Sequence, residues 1–113
     1  MVANTDVSSS QSIGNGGSGV SLGNDSSVTG STANNNTGGN GINMGVQARV
    51  TGNTANTNGK TGIVTLYRSL VGQNQTSSNK SDGISVGVSS IVTGNTSDAN
   101  ALYGIAAAGF DLV

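Results

Sequence analysis

Gly83-Ile84-Ser85-Val86-Gly87-Val88-Ser89-Ser90-Ile91-Val92-Thr93-Gly94-Asn95-Thr96 decides the fold, because the rest of the chain repeats it in register. Val92 belongs to the series Val28, Val50, Val71, Val92 and Val113, spaced 22, 21, 21 and 21 residues apart, and one step back lies Val7. The Gly-Ile pair recurs as Gly19-Val20, Gly41-Ile42, Gly62-Ile63, Gly83-Ile84 and Gly104-Ile105. Two residues after each aliphatic stand Leu22, Met44, Thr65, Val86 and Ala107, with Ser21, Asn43, Val64, Ser85 and Ala106 between. That alternation places the outer two positions on one face of a short strand. One asparagine column runs Asn15, Asn36, Asn58, Asn79, Asn100; a second runs Asn53, Asn74, Asn95, with Ser31 in the first unit.

Composition alone argues for disorder. Of 113 residues, 33% are hydrophobic, 8% charged and 3% aromatic, with 19 Gly and no Pro. Such tracts usually bury too little apolar surface to offset chain entropy. A disordered tract, however, has no reason to hold several columns in register over five units. A unit of 21 residues with strand alternation and no helical period suits a β-solenoid, one coil per unit. Leucine-rich repeats share the length but need a Leu-x-x-Leu-x-Leu pattern that is missing. Gly16-Gly17-Ser18-Gly19-Val20-Ser21 and Gly38-Gly39-Asn40-Gly41-Ile42-Asn43 imitate a calcium-binding β-roll but lack its aspartate.

The expected fold is all-β: a right-handed parallel β-helix of about five coils, 21–22 residues each. Residues 1–18 form a polar segment and partial first coil; coils follow at 19–40, 41–61, 62–82 and 83–103, with 104–113 partial. Stacked at ~4.8 Å, five coils give a rod ~25 Å long. Its interior holds the Val column and the two strand columns, with a narrow third side of Ala33, Ala55, Thr76 and Ser97. Asparagines at the turns bridge neighbouring coils. Gly30, Gly52 and Gly94 turn the chain; in Val71-Gly72-Gln73-Asn74 the glycine comes one residue early. The extra residue of the 22-residue unit belongs in the Thr37-Gly38-Gly39-Asn40 turn.

Gly83 to Thr96 and Gly41 to Thr54 resemble the right-handed parallel β-helix repeats of the pectin-lyase-like group, especially NosD-type and carbohydrate-binding (CASH) repeats. The likeness runs from about Val7 to the end. It implies the coil fold and says little of activity, because such coils occur in polysaccharide lyases and hydrolases, phage tailspikes, adhesins and periplasmic accessory proteins. Polysaccharide-cleaving members of the group use clustered Asp with Arg or Lys outside the helix. Here the acids are Asp6, Asp25, Asp82, Asp98 and Asp111, and no two share a column of neighbouring coils. Asp25 and Asp111 nearly match but lie four coils apart, ~19 Å, too far for a glycosidase pair.

Other classes fall away on residue inventory. With no Cys and no His there is no disulfide framework, Cys/His zinc site or imidazole base. No metal or cofactor is expected. Four Lys and Arg against a net charge of −1 provide no basic patch for nucleic acid. No apolar run is long enough to span a bilayer, and Met1-Val2-Ala3-Asn4-Thr5-Asp6 does not read as a signal peptide.

Four features remain as candidates. Lys60, Lys80, Asp82 and Tyr103 fall at nearly equivalent turn positions and would form a sugar-contacting patch, or are ordinary turn residues. Leu66-Tyr67-Arg68, with Arg49 one coil earlier, marks either a binding edge or a local bulge. Leu70, Ile91 and Leu112 form an exposed stripe that packs on another chain or a missing segment, unless the corner turns them inward. The columns Thr29/Thr51/Thr93 and Thr32/Thr54/Thr96 hint at an ice-binding array, broken by Gly72 and Gln75. Five glycosylation sequons, among them Asn74-Gln75-Thr76 and Asn79-Lys80-Ser81, are expected by chance in such a composition.

The chain stops on a column valine, so further coils of a longer chain or end-to-end self-association are expected. The function expected is a non-catalytic extracellular or surface module (periplasmic is the variant), acting as structural or adhesive scaffold or as a surface for polysaccharide or cell-surface glycan. The alternative is a fragment of a polysaccharide lyase, hydrolase or tailspike whose active site lies elsewhere.

Overall fold

A computed structural model describes residues 2–109 as a parallel β-solenoid of about five coils, each contributing one short strand to each of three sheets. Strands are numbered along the chain. Sheet one stacks β1 (Asp6–Ser8), β4 (Ser27–Thr29), β7 (Arg49–Thr51), β10 (Leu70–Gly72) and β13 (Ile91–Thr93). Sheet two stacks β2 (Gln11–Ile13), β5 (Thr32–Asn34), β8 (Thr54–Asn56), β11 (Gln75–Ser77) and β14 (Thr96–Asp98). Sheet three stacks β3 (Val20–Ser21), β6 (Ile42–Asn43), β9 (Ile63–Val64), β12 (Ile84–Val86) and β15 (Ile105–Ala107). Every pairing is parallel, as one strand per lap requires.

Register follows the columns read from the sequence. Val7, Val28, Val50, Val71 and Val92 are successive partners in sheet one, and Ile42, Ile63, Ile84 and Ile105 in sheet three. Val113, Leu112, Asp111 and Phe110 lie outside the described residues. The four valines from Val28 to Val92 and the three isoleucines from Ile42 to Ile84 are fully buried, joined by Met44 and Val86. Each such side chain contributes about 1.5–3 kcal/mol. The third side is narrow: Ala33, Ala55 and Thr76 are buried without exposure, and Thr76 Oγ1 meets Ser97 Oγ at 2.8 Å. Where serine replaces alanine on this side its hydroxyl finds a carbonyl, Ser12 donating to Gly19 and Ser97 to Gly104, both at 2.6 Å.

The extra residue sits between β5 and β6. Partners on sheet two step by 21 residues up to Ser12–Ala33, whereas Val20 and Ile42 step by 22. The inserted residue is therefore absorbed in the turn after Asn36, outside all three sheets.

Each coil turns three corners, and each corner has one residue in the left-handed region. Asn4, Asp25, Gln47, Arg68 and Ser89 hold the first; Ser9, Gly30, Gly52, Gln73 and Gly94 the second; Gly14, Asn35, Thr57, Ser78 and Ala99 the third. The next residue then points inward as a rung. After the second and third corners these rungs are the asparagine columns, and after the first they are Ser26, Ala48, Ser69 and Ser90, all buried. Gly72 lies within β10, so Gln73 takes the left-handed position at φ 56° that Gly52 and Gly94 fill elsewhere.

The asparagines are structural. Asn36, Asn53, Asn58, Asn74 and Asn79 are buried, and each Oδ1 accepts the backbone N–H one coil earlier at 2.8–3.1 Å. Each Nδ2 reaches the asparagine one coil later and a strand carbonyl one coil earlier, as Asn58 does to Asn79 Oδ1 (3.0 Å) and Ala33 O (2.9 Å). A buried amide with every group satisfied stabilises rather than costs.

Candidate functional site

The sequence candidates occupy two different corners. Lys60, Lys80, Asp82 and Tyr103 lie in the turns from sheet two to sheet three; Tyr67 and Arg68 lie in the turn from sheet three to sheet one. They do not form one site.

Within the first group the residues stand in three columns. Hydrogen bonds stack Gly39, Lys60, Ser81 and Leu102 in one, through Lys60 N–H to Gly39 O (3.0 Å) and Ser81 N–H to Lys60 O (3.2 Å). Lys80 bonds back to Asn58 O at 3.1 Å, as Ala101 does to Asn79 O, which puts it in the neighbouring column. Asp82 and Tyr103 belong to a third, with Asn40 and Thr61. The structure brings this last pair together directly: Asp82 Oδ1 accepts the Tyr103 backbone N–H at 3.0 Å. Asn40 Oδ1 accepts the Thr61 N–H at 3.1 Å in the same way two coils earlier. Asp82 thus has a turn-capping job that an asparagine performs elsewhere, and Tyr103 is left 67% exposed.

At the other corner there is no bulge. Ile63 to Leu70 spans the same number of residues as Ile42 to Arg49 and Ile84 to Ile91, and Arg49, Leu70 and Ile91 remain in register. Tyr67 replaces Val46 and Val88 in a regular turn, with its carbonyl accepting the Gln47 N–H at 2.9 Å. Half of its surface is exposed. Arg68 takes the left-handed position at φ 58°. Arg49 and Arg68 line one shallow groove of about 270 Å³ with Gln47, Ser69, Leu70 and Ile91. Leu70 and Ile91 do point outward, Ile91 with 46% of its surface exposed, so the corner does not fold the stripe inward.

Other surface patterns separate on the sheets. Thr29, Thr51 and Thr93 lie in sheet one, Thr32, Thr54 and Thr96 in sheet two, so the two threonine columns flank a corner and share no flat face. Asn74 and Asn79 are held inside the ladders, which closes those two sequons in the folded chain. Among the described residues no three acids, histidines or cysteines stand close enough to hold a metal ion, and no helix is long and apolar enough to cross a membrane.

Sequence reading missed the charge pattern on sheet one. Asp6 shares a column with Arg49, two coils apart through Ser27, and Asp25 shares the first-corner column with Arg68 through Gln47. The signal was present as like spacing of unlike charges. Comparison with family models, curated proteins and solved structures finds no match to this chain.

Proposed function

We propose that this chain is a non-catalytic module of the pectin-lyase-like β-helix type, a structural or adhesive scaffold with glycan-contacting tyrosines at two of its corners, working outside the cell or at its surface. The observation that carries this reading is where the polar side chains go. Five buried asparagines and a buried serine column bond to the backbone of neighbouring coils, so the residues that dominate the composition build the stack. Asp82, the acid nearest to Lys60, Lys80 and Tyr103, caps a turn. What remains outside is a surface with two exposed tyrosines, Tyr67 next to Arg68 along the chain and Tyr103 in the column of Asp82, two columns from that of Lys80. An aromatic ring with a polar tip suits a contact that is apolar on one side and hydrogen-bonding on the other, as a sugar ring requires. Further coils or additional copies would extend the same surface.

The test is retention on immobilised polysaccharides together with an assay for released reducing ends. The expected result is retention that Tyr103→Ala or Tyr67→Ala weakens at least about fivefold, without cleavage. Cleavage abolished by Asp82→Asn or Asp98→Asn would establish the enzyme reading instead. A folded chain retained by no glycan would leave a passive spacer.

A further inference from the structure

Four of the chain's nine formal charges sit on one face, sheet one and its entry corner, and they are ordered by sign. Asp6 stands in β1 and its column continues Ser27, Arg49, Leu70, Ile91. Asp25, Gln47, Arg68 and Ser89 hold successive left-handed positions two residues before that column. Asp25 precedes β4, the strand beside β1, while Arg68 precedes β10, the strand beside β7. The acidic pair Asp6/Asp25 and the basic pair Arg49/Arg68 therefore have the same internal geometry, displaced by two coils, ~10 Å. All four side chains are exposed. Asp6 Oδ1 accepts the Ser27 hydroxyl at 2.6 Å.

We infer that this face docks a second copy of the same chain, antiparallel and face to face. A two-fold axis running along the strands, between β4 and β7, keeps each column opposite its own column and reverses the order of coils. Asp6 then faces the level of Arg68 of the second copy, and Asp25 the level of its Arg49, with a sideways offset of ~7 Å that an arginine side chain spans. The symmetry makes each contact twice, and no like charges are opposed, which is the self-complementarity an isologous dimer needs. A parallel arrangement would set arginine against arginine. The four strands that overlap, β1, β4, β7 and β10, make a strip ~20 Å wide and ~19 Å tall, so the pair buries about 800 Å², less than a stable interface and in the range of weak, transient contacts. Association is therefore weak and governed by charge. This inference goes beyond the glycan-contact reading and does not depend on it; the two compete at the Tyr67–Arg68 corner, and the Tyr103 corner lies outside the docking face.

Sedimentation equilibrium up to 1 mM protein tests it. Wild-type chain is expected to dimerise in 50 mM salt, with an association constant at least about tenfold lower in 500 mM salt. Arg49→Asp with Arg68→Asp gives an all-acidic face, and Asp6→Lys with Asp25→Lys an all-basic one. Each is expected to stay monomeric alone, and an equal mixture to form a heterodimer tighter than the wild-type pair. If one variant fails to fold, the salt titration of the wild type still decides. A wild-type monomer at 1 mM, or association indifferent to salt, overturns the inference. So does a monomer that binds polygalacturonate through Arg49 and Arg68, which would make the face a polyanion site.

Discussion

Asn53 Nδ2 lies 3.0 Å from Asn74 Oδ1, one coil further on, and that same oxygen receives the Asn53 backbone N–H at 2.9 Å. Asn74 in turn donates to Val50 O at 2.9 Å and to Asn95 Oδ1 at 3.0 Å. One buried amide thus ties three coils.

Asn74→Ala removes an acceptor from two donors and a donor from two acceptors, all in the buried wall. The expected loss is about 2–4 kcal/mol, read from urea unfolding. Asn15 heads the other ladder in coil one and is exposed, so Asn15→Ala is expected to cost under about 1 kcal/mol. Equal effects at the two positions would show that burial does not govern the ladders.

Thr65 stands in the column of Met44 and Val86, 2% exposed, and its hydroxyl has no hydrogen-bond partner. Thr65→Val keeps the shape and removes the unpaired oxygen. It is expected to stabilise by about 1–2 kcal/mol, raising the urea midpoint without changing the slope. A destabilised variant would mean that the hydroxyl is satisfied in solution.

Coil four carries a local inversion, Gly72 in the strand and Gln73 at the left-handed corner. A Cβ at Gly72 would meet the methyls of Thr93 (3.6 Å) and Thr51 (3.9 Å) at ordinary contact distance. The double change Gly72→Thr with Gln73→Gly completes the threonine column and relieves a left-handed side chain. It is expected to add about 1–2 kcal/mol in the same unfolding assay. No gain would show that the inversion costs nothing.

Gly62 is required by approach. A Cβ there would lie 2.6 Å from Gly83 O and 2.7 Å from Asn79 Nδ2, both fixed by the stack. Gly62→Ala forces two coils apart and is expected to cost at least about 3 kcal/mol or to prevent folding, visible as lost β signal in circular dichroism. A fully folded Gly62→Ala chain would contradict the coil spacing.

Features that repeat a residue type were legible in the sequence: the valine column, the Gly-aliphatic pair, the small third side, both asparagine ladders and the place of the extra residue. Features that repeat only a backbone state were not. Apart from Gly30, Gly52 and Gly94 at the second corner, the left-handed positions are filled by Asn, Asp, Ser, Gln, Arg, Thr, Ala and one Gly, so no letter marks them. The Ser26/Ala48/Ser69/Ser90 column is broken by its alanine, although Ala48 N–H still bonds to Ser69 Oγ at 3.1 Å. Around the candidate patch, counting from the nearest glycine blurred three adjacent columns into one. Lys60 and Lys80 therefore looked equivalent, and only the hydrogen-bond partners separate them. The Leu66-Tyr67-Arg68 turn looked irregular because its side chains are large, while its backbone keeps the common length.

The most direct test of the stacked coils is a methyl NOESY spectrum of valine- and isoleucine-labelled protein. Parallel in-register stacking at ~4.8 Å predicts strong sequential contacts Val28–Val50–Val71–Val92 and Ile42–Ile63–Ile84, and none directly between Val28 and Val92. Absence of the Val50–Val71 and Val71–Val92 contacts from a well-dispersed spectrum would contradict the solenoid.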